Sequence, residues 1–251
     1  MKNALILHGW PEHRVDKYFL TEHLRKSGYQ VLTPDMFVRG YVFDPKNVVA
    51  KVKELLNGER LDFAVGISLG GLILPHVALE YPEAKLLFMS TGPYLKADSP
   101  FFNFILGLFR NIWVLKMMSW VLKLPTPILA VFYKLGSPFN GTVEEHVEYD
   151  RDMEHNINLV RGIPVEEEAE IIGFVHRADN TELLRKIKNK TIIFNGEKDL
   201  FMPAGRGKLL HKLLENSELV INDGEHFNVF GEKDLPRVDE FLGLANGFGI
   251  K

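Results

Sequence analysis

The chain has no cysteine among its 251 residues. Disulfides, thiolate metal sites and a cysteine nucleophile are therefore excluded. It also lacks an excess of charge of one sign. Thirty basic residues against 33 acidic ones leave a net charge of −3, so no nucleic-acid partner is expected. No stretch reaches the roughly 18 uninterrupted apolar residues of a membrane span. The first apolar run, Ala4-Leu5-Ile6-Leu7, is too short for a secretory-signal core and no small-residue cleavage site follows it. A cytoplasmic location is the expectation. What is present suits a globular protein: 46% hydrophobic and 25% charged residues, enough for a substantial core.

Six short runs read as strands: Ala4–Leu7, Val31–Thr33, Phe63–Ile67, Lys85–Met89, Thr191–Phe194 and Glu218–Ile221. Most are rich in Leu, Ile, Val and Phe without alternation, as strands covered on both faces should be. Helical segments lie between them, at Tyr18–Lys26, Pro45–Leu56, Leu72–Tyr81, Gly207–Leu214 and Leu235–Leu242. Asp44 suits an N-cap, Pro45 a first helical position and Gly58 a stop. Strands alternating with helices imply an α/β fold with a mostly parallel sheet flanked by helices. From about Tyr94 to Lys188 the signals are mainly helical, with no convincing strand. Ser99-Pro100 and Thr126-Pro127 read as N-cap and first-turn proline, and Thr142-Val-Glu-Glu145 as a capping box. The expected division is a core of residues 1–93 and 189–251 with a helical cap inserted at 94–188.

Gly66-Ile67-Ser68-Leu69-Gly70 is a G-x-S-x-G motif. Alone it is weak, but Asp62–Val65 before it reads as a strand and Leu72 onward as a helix. A sharp strand–turn–helix presents a serine Oγ above the sheet edge, and small residues two before and two after it relieve the crowding. The start of the following helix directs its positive end toward developing negative charge. Ser68 is therefore the candidate nucleophile.

With this motif in its context, the chain resembles the α/β-hydrolase-fold serine hydrolases of the esterase and lipase type over nearly its whole length. The family's order is Ser, then Asp or Glu, then His. Gly196-Glu-Lys-Asp199…Pro203, after the fifth strand-like run, resembles its acid loop and puts Asp199 on the acid position, with Glu197 and Asp223 as competing carboxylates. Gly224-Glu225-His226-Phe227 resembles its histidine loop. Of nine histidines, His226 is singled out by its place after the last strand-like run and before the last helix. His8-Gly9-Trp10-Pro11 resembles the family's H-G-x loop, which implies that backbone N–H groups of Trp10 and Leu69 form the oxyanion hole, with His8 structural. Two departures stand out. The family usually has two further strands before this loop, so trimmed N-terminal strands are expected. The H-G-G-G run of one lipase branch is missing.

The cap segment has its own deficit: no acidic residue occurs from Ser99 to Val143. Phe101 to Gly136 carries ten aromatic or Met residues, with Arg110, Lys116, Lys123 and Lys134 as its only charges. Two readings apply: a lid burying its apolar face on the protein's own core, or an interfacial element able to touch a membrane surface or an acyl chain. The first is the expectation, because most amphipathic helices are packed. Trp113 and Trp120 are candidate substrate-pocket residues. The acidic stretch Glu144–Glu170 reads as a solvated face.

The resemblance implies hydrolysis of a carboxylic ester through an acyl-serine, with no cofactor and no metal, and the apolar cap turns the expectation toward a hydrophobic acyl group. Thioester and carbon–carbon bond hydrolysis use the same triad. The aspartate-nucleophile branches are excluded, because position 68 is Ser. A non-catalytic ligand-binding protein on this fold is the reading from another class.

Overall fold

The computed structural model describes residues 1–10, 18–36, 43–96, 100–136, 143–226 and 228–244. In chain order the elements are β1 (Lys2–Leu7), α1 (Phe19–Lys26), β2 (Tyr29–Leu32), α2 (Pro45–Leu56), β3 (Phe63–Ile67), α3 (Leu69–Glu80) and β4 (Lys85–Met89). Then come α4 (Pro100–Leu108), α5 (Ile112–Val121), α6 (Thr126–Gly136), α7 (Val143–Gly162), α8 (Val165–Arg177) and α9 (Thr181–Leu184). β5 (Thr191–Gly196), α10 (Ala204–Leu213), β6 (Ser217–Asn222) and α11 (Leu235–Leu242) complete the chain. All six expected strands are present.

The strands form one sheet in the order β2-β1-β3-β4-β5-β6, with every pair parallel. Four or more successive residues of β1, β3, β4 and β5 are buried, which explains why their sequences do not alternate. Phe63, Phe88 and Phe194 are the largest side chains fully enclosed in this core. Each such ring contributes roughly 1.5–3 kcal/mol by leaving water.

The strand order has one functional consequence. From β1 the chain moves outward to β2, then returns to place β3 on the other side of β1. Connections leaving β1 and β3 thus diverge, and a crevice opens at the carboxyl ends of these two strands. The residues there are the His8–Trp10 loop and Ser68.

Local signals explain the helix ends. Asp44 caps α2, its Oδ1 accepting from Lys46 N at 2.8 Å, and Asn57 and Gly58 end it with positive φ. α3 starts three residues earlier than expected, and so does α10. In both cases glycines that read as turn punctuation lie inside the first turns because packing requires them. A Cβ on Gly70 would come within 2.2 Å of Leu7 O, and one on Gly207 within 2.7 Å of the Asn195 side chain. Thr126 is not an N-cap. Ile128 N already donates to Pro125 O, and the Thr126 hydroxyl instead accepts from Arg161 Nη1. Ser99 and Thr142, read as caps, lie outside the described residues, as do Pro11 and Phe227 and the side chains of Phe101, Phe102, Phe132 and Tyr133.

The chain divides into two compact units, one of Met1–Asn103 with Phe174–Lys251 and one of Phe104–Gly173. The first holds the sheet. In the second, Leu129, Met153 and Ile157 form a small core of their own, with Leu122 and Ala130 packed against it. Arg161 pins the α5–α6 corner by donating to the carbonyls of Leu122 and Leu124. The acidic stretch departs from a purely solvated face at Glu168, which is buried; burial pushes its carboxyl above the usual range. Among the described residues no helix is long and apolar enough to cross a membrane.

Candidate active site

Ser68 sits between β3 and α3 with φ 49° and ψ −109°, a backbone conformation that a non-glycine residue adopts only under constraint. The constraint is visible on both sides. Its N–H donates to Met89 O on β4, and its carbonyl accepts from Gly71 N and from the Thr91 hydroxyl at 2.9 Å. The surrounding glycines permit the turn. A Cβ on Gly66 would fall 2.8 Å from Gly70 O, and one on Gly71 2.4 Å from the Thr91 side chain. The tight strand–turn–helix expected from the sequence is therefore imposed by close backbone approach.

His226 comes from the loop after β6 and meets Ser68 across 158 residues. Its Nε2 lies 2.9 Å from Ser68 Oγ, and its Nδ1 lies 2.7 Å from Asp199 Oδ2. With the carboxylate accepting at Nδ1–H, Nε2 is left to accept from the serine hydroxyl. The Asp199 side chain is fully buried. Its Oδ1 also accepts from the backbone N–H of Phe201 and of Met202, at 2.9 and 2.8 Å. Three charge-directed hydrogen bonds offset the cost of removing this carboxylate from water and aim it at the imidazole. The competing carboxylates lie elsewhere: Glu197 is exposed, and Asp223 is exposed beside Lys198. Other histidines are engaged away from Ser68, His23 with Asp239 and His211 with Ser217.

Residues 5–116 match the family model described as alpha/beta hydrolase fold. An esterase from Exiguobacterium antarcticum has 18% identity and a TM-score of 0.68, covering 97% of this chain and 90% of its own. A meta-cleavage product hydrolase from Pseudomonas fluorescens IP01 is similar at 18% identity and TM-score 0.68, over 98% and 92%. A bromoperoxidase from Bacillus anthracis is similar at 21% and TM-score 0.66, over 96% and 89%. The chain has the α/β-hydrolase fold. No curated protein matches it in sequence.

On this α/β-hydrolase fold, the loop after β1 lies against the serine. A Cβ built on Gly9 would stand 3.4 Å from Ser68 Cβ, so Trp10 follows immediately beside the site. Leu69 is the first residue of α3, and its N–H has no acceptor within the helix by position. His8 is fully buried and structural. Its Nε2 accepts from Met36 N at 3.1 Å, so the proton sits on Nδ1, which donates to Gly9 O at 2.8 Å. That pair of bonds ties the loop after β1 to the chain after β2.

Three supporting residues are not evident from the sequence motifs. Besides Thr91, Ser90 donates its hydroxyl to His226 O at 2.7 Å. Asn195 donates to Thr91 O and Met202 O, linking the acid loop to the end of β4. A polar Ser-Thr pair directly after an apolar strand is the signal that points to the first two.

Trp113 and Trp120, the candidate substrate-pocket residues, are 70% and 77% exposed. In α5 the buried position is Leu115, on the opposite side of the helix.

Gly196 makes the acid and histidine loops meet. A Cβ there would lie 2.0 Å from Gly224 O. Gly196→Ala is expected to lower kcat about 100-fold, because a displacement near 1 Å at the imidazole costs that much. Steady-state kinetics with a soluble ester checks it; wild-type kcat would show that the two loops adapt without moving His226.

Proposed function

We propose that this protein is a serine hydrolase that cleaves a carboxylic ester with a hydrophobic acyl group. The observation that carries the reading is the continuous chain Ser68 Oγ–His226 Nε2–His226 Nδ1–Asp199 Oδ2, at 2.9 and 2.7 Å. Ser68 Oγ attacks the ester carbonyl carbon while His226 takes its proton. The backbone N–H groups of Trp10 and Leu69 receive the tetrahedral oxyanion. Collapse breaks the bond to the leaving oxygen, which departs as an alcohol with the proton from His226. Water, deprotonated by the same imidazole, then hydrolyses the acyl-serine and regenerates Ser68.

The preference for an apolar acyl group draws support from the acid loop. The Phe201 ring lies 5.2 Å from the His226 ring, and Leu200 and Phe201 both keep exposed apolar surface. An acyl chain laid on this surface loses contact with water at about 0.8 kcal/mol per methylene. kcat/KM for p-nitrophenyl esters is expected to rise about fourfold per methylene from acetate to medium-chain lengths, where the burial is realised in the transition state. Phe201→Ala should flatten the series more than it lowers acetate hydrolysis. A flat or falling wild-type profile would remove the hydrophobic part of the reading and leave the triad standing. Acyl thioesters run in parallel decide the leaving group, since the same nucleophile serves both. Labelling of Ser68 by a fluorophosphonate separates an enzyme from a ligand-binding protein on this fold.

A further inference from the structure

The exposed large apolar side chains of this protein are concentrated rather than scattered. Among the described residues, Phe104, Leu108, Ile112, Trp113, Met117, Trp120, Val121, Leu124, Ile128 and Val131 are all exposed, within 28 positions of one another. Soluble proteins leave such side chains exposed singly, and a cluster marks a surface that meets something.

The cluster has helical order. On α5, Trp113, Met117 and Trp120 follow the spacing i, i+4, i+7 and form one stripe, 70%, 71% and 77% exposed. Leu115 lies on the opposite side of α5 and is buried, and Leu122 packs on the small core. The helix has thus already satisfied its inward face, and the stripe is a second apolar face. This corrects the sequence-based expectation that the segment buries its apolar surface on the protein itself. On α6, Ile128 and Val131 are exposed while Leu129 is buried.

Charge identifies the partner. Arg110, Lys116 and Lys123 are exposed, and among the described residues none of the three is in an ion pair. Lys134 is different, being paired with Asp150. Lys116 Nζ stands 5.3 Å from the Trp113 ring centre, at the rim of the stripe. No carboxylate occurs in the sequence between Ser99 and Val143. Tryptophan and long aliphatics flanked by unpaired cations match an anionic lipid–water interface: rings sit at headgroup depth while the amines reach phosphate. A second protein copy would bring the same three cations against each other across a two-fold contact, which disfavours that occupant.

We propose that the α5 stripe of Trp113, Met117 and Trp120, with Arg110, Lys116 and Lys123, docks this protein on anionic lipid surfaces. The proposal does not depend on the hydrolase reading, because its readout is binding.

The test is co-sedimentation of the full chain with vesicles of phosphatidylcholine alone and of phosphatidylcholine containing phosphatidylglycerol, alongside light scattering without lipid. Two of the three tryptophans lie on the stripe, so quenching by brominated acyl chains reports their insertion. The wild type should be monomeric without lipid and should bind the anionic vesicles far better than the neutral ones. R110Q/K116Q/K123Q should lower the partition constant on anionic vesicles roughly a hundredfold, since each cation near such a surface contributes about fivefold. W113S/M117S/W120S should lose co-sedimentation with the anionic vesicles while circular dichroism stays unchanged, as all three side chains are exposed. Failure of the wild type to bind anionic vesicles, or equal binding to neutral ones, would overturn the proposal. So would a lipid-free dimer that W113S/M117S/W120S dissolves, which would give the face to a second copy.

Discussion

Ser68→Ala is expected to lower kcat on a p-nitrophenyl ester about a millionfold, to a residual rate set by the oxyanion donors and substrate binding alone. The size follows from what the hydroxyl does. In the proposed mechanism every proton transfer by His226, oriented by Asp199, serves the acyl-serine made on that oxygen, so without it their contribution vanishes as a unit. Stability should barely change. The strained φ of 49° is held by hydrogen bonds to the Ser68 backbone, from Thr91 and to Met89, and the substitution leaves these in place. A melting temperature within a degree or two of wild type, together with loss of fluorophosphonate labelling, completes the expected result. Retained esterase activity in a folded Ser68→Ala protein would overturn the proposed mechanism.

Asp199→Asn should cost about 10⁴-fold in kcat, and the structure says why so small a change is so expensive. Oδ1 of an asparagine can still accept from the N–H groups of Phe201 and Met202. Its amide nitrogen is then left facing His226 Nδ1, where Oδ2 stands now. A donor at that point requires Nδ1 to accept, so the imidazole proton moves to Nε2. Nε2–H cannot take the proton of Ser68. The variant should therefore fold normally with its catalytic base in the wrong tautomer. Glu197→Gln and Asp223→Asn are the controls and should stay within a few-fold of wild type, because both side chains lie outside this network. A larger loss in Asp223→Asn than in Asp199→Asn would reassign the acid.

Much of this molecule was legible before its structure. Strands buried on both faces must be apolar at nearly every position, so β1, β3, β4 and β5 stand out as unbroken runs. The tight turn at Ser68 is equally local: five residues contain its steric requirements, and the strand before and helix after them lie in the neighbouring sequence. Asp44, Pro45 and Gly58 mark the ends of α2 for the same reason, since capping acts within a few positions. Other features depend on distant parts of the chain. Asp199, Glu197 and Asp223 are alike as letters; what separates them is that one carboxylate is buried against His226 while the others face water. The glycines opening α3 and α10 resemble breaks until Leu7 and Asn195 are seen pressing on them. The contacts of Ser90, Thr91 and Asn195 join segments from different strands, and no spacing along the chain encodes them. The α5 stripe is the clearest instance. Helical periodicity says that an apolar face exists, but the pattern is identical whether the protein or its surroundings cover that face. Only the tertiary structure, by burying Leu115 and leaving Trp113, Met117 and Trp120 in solvent, decides which face is inside.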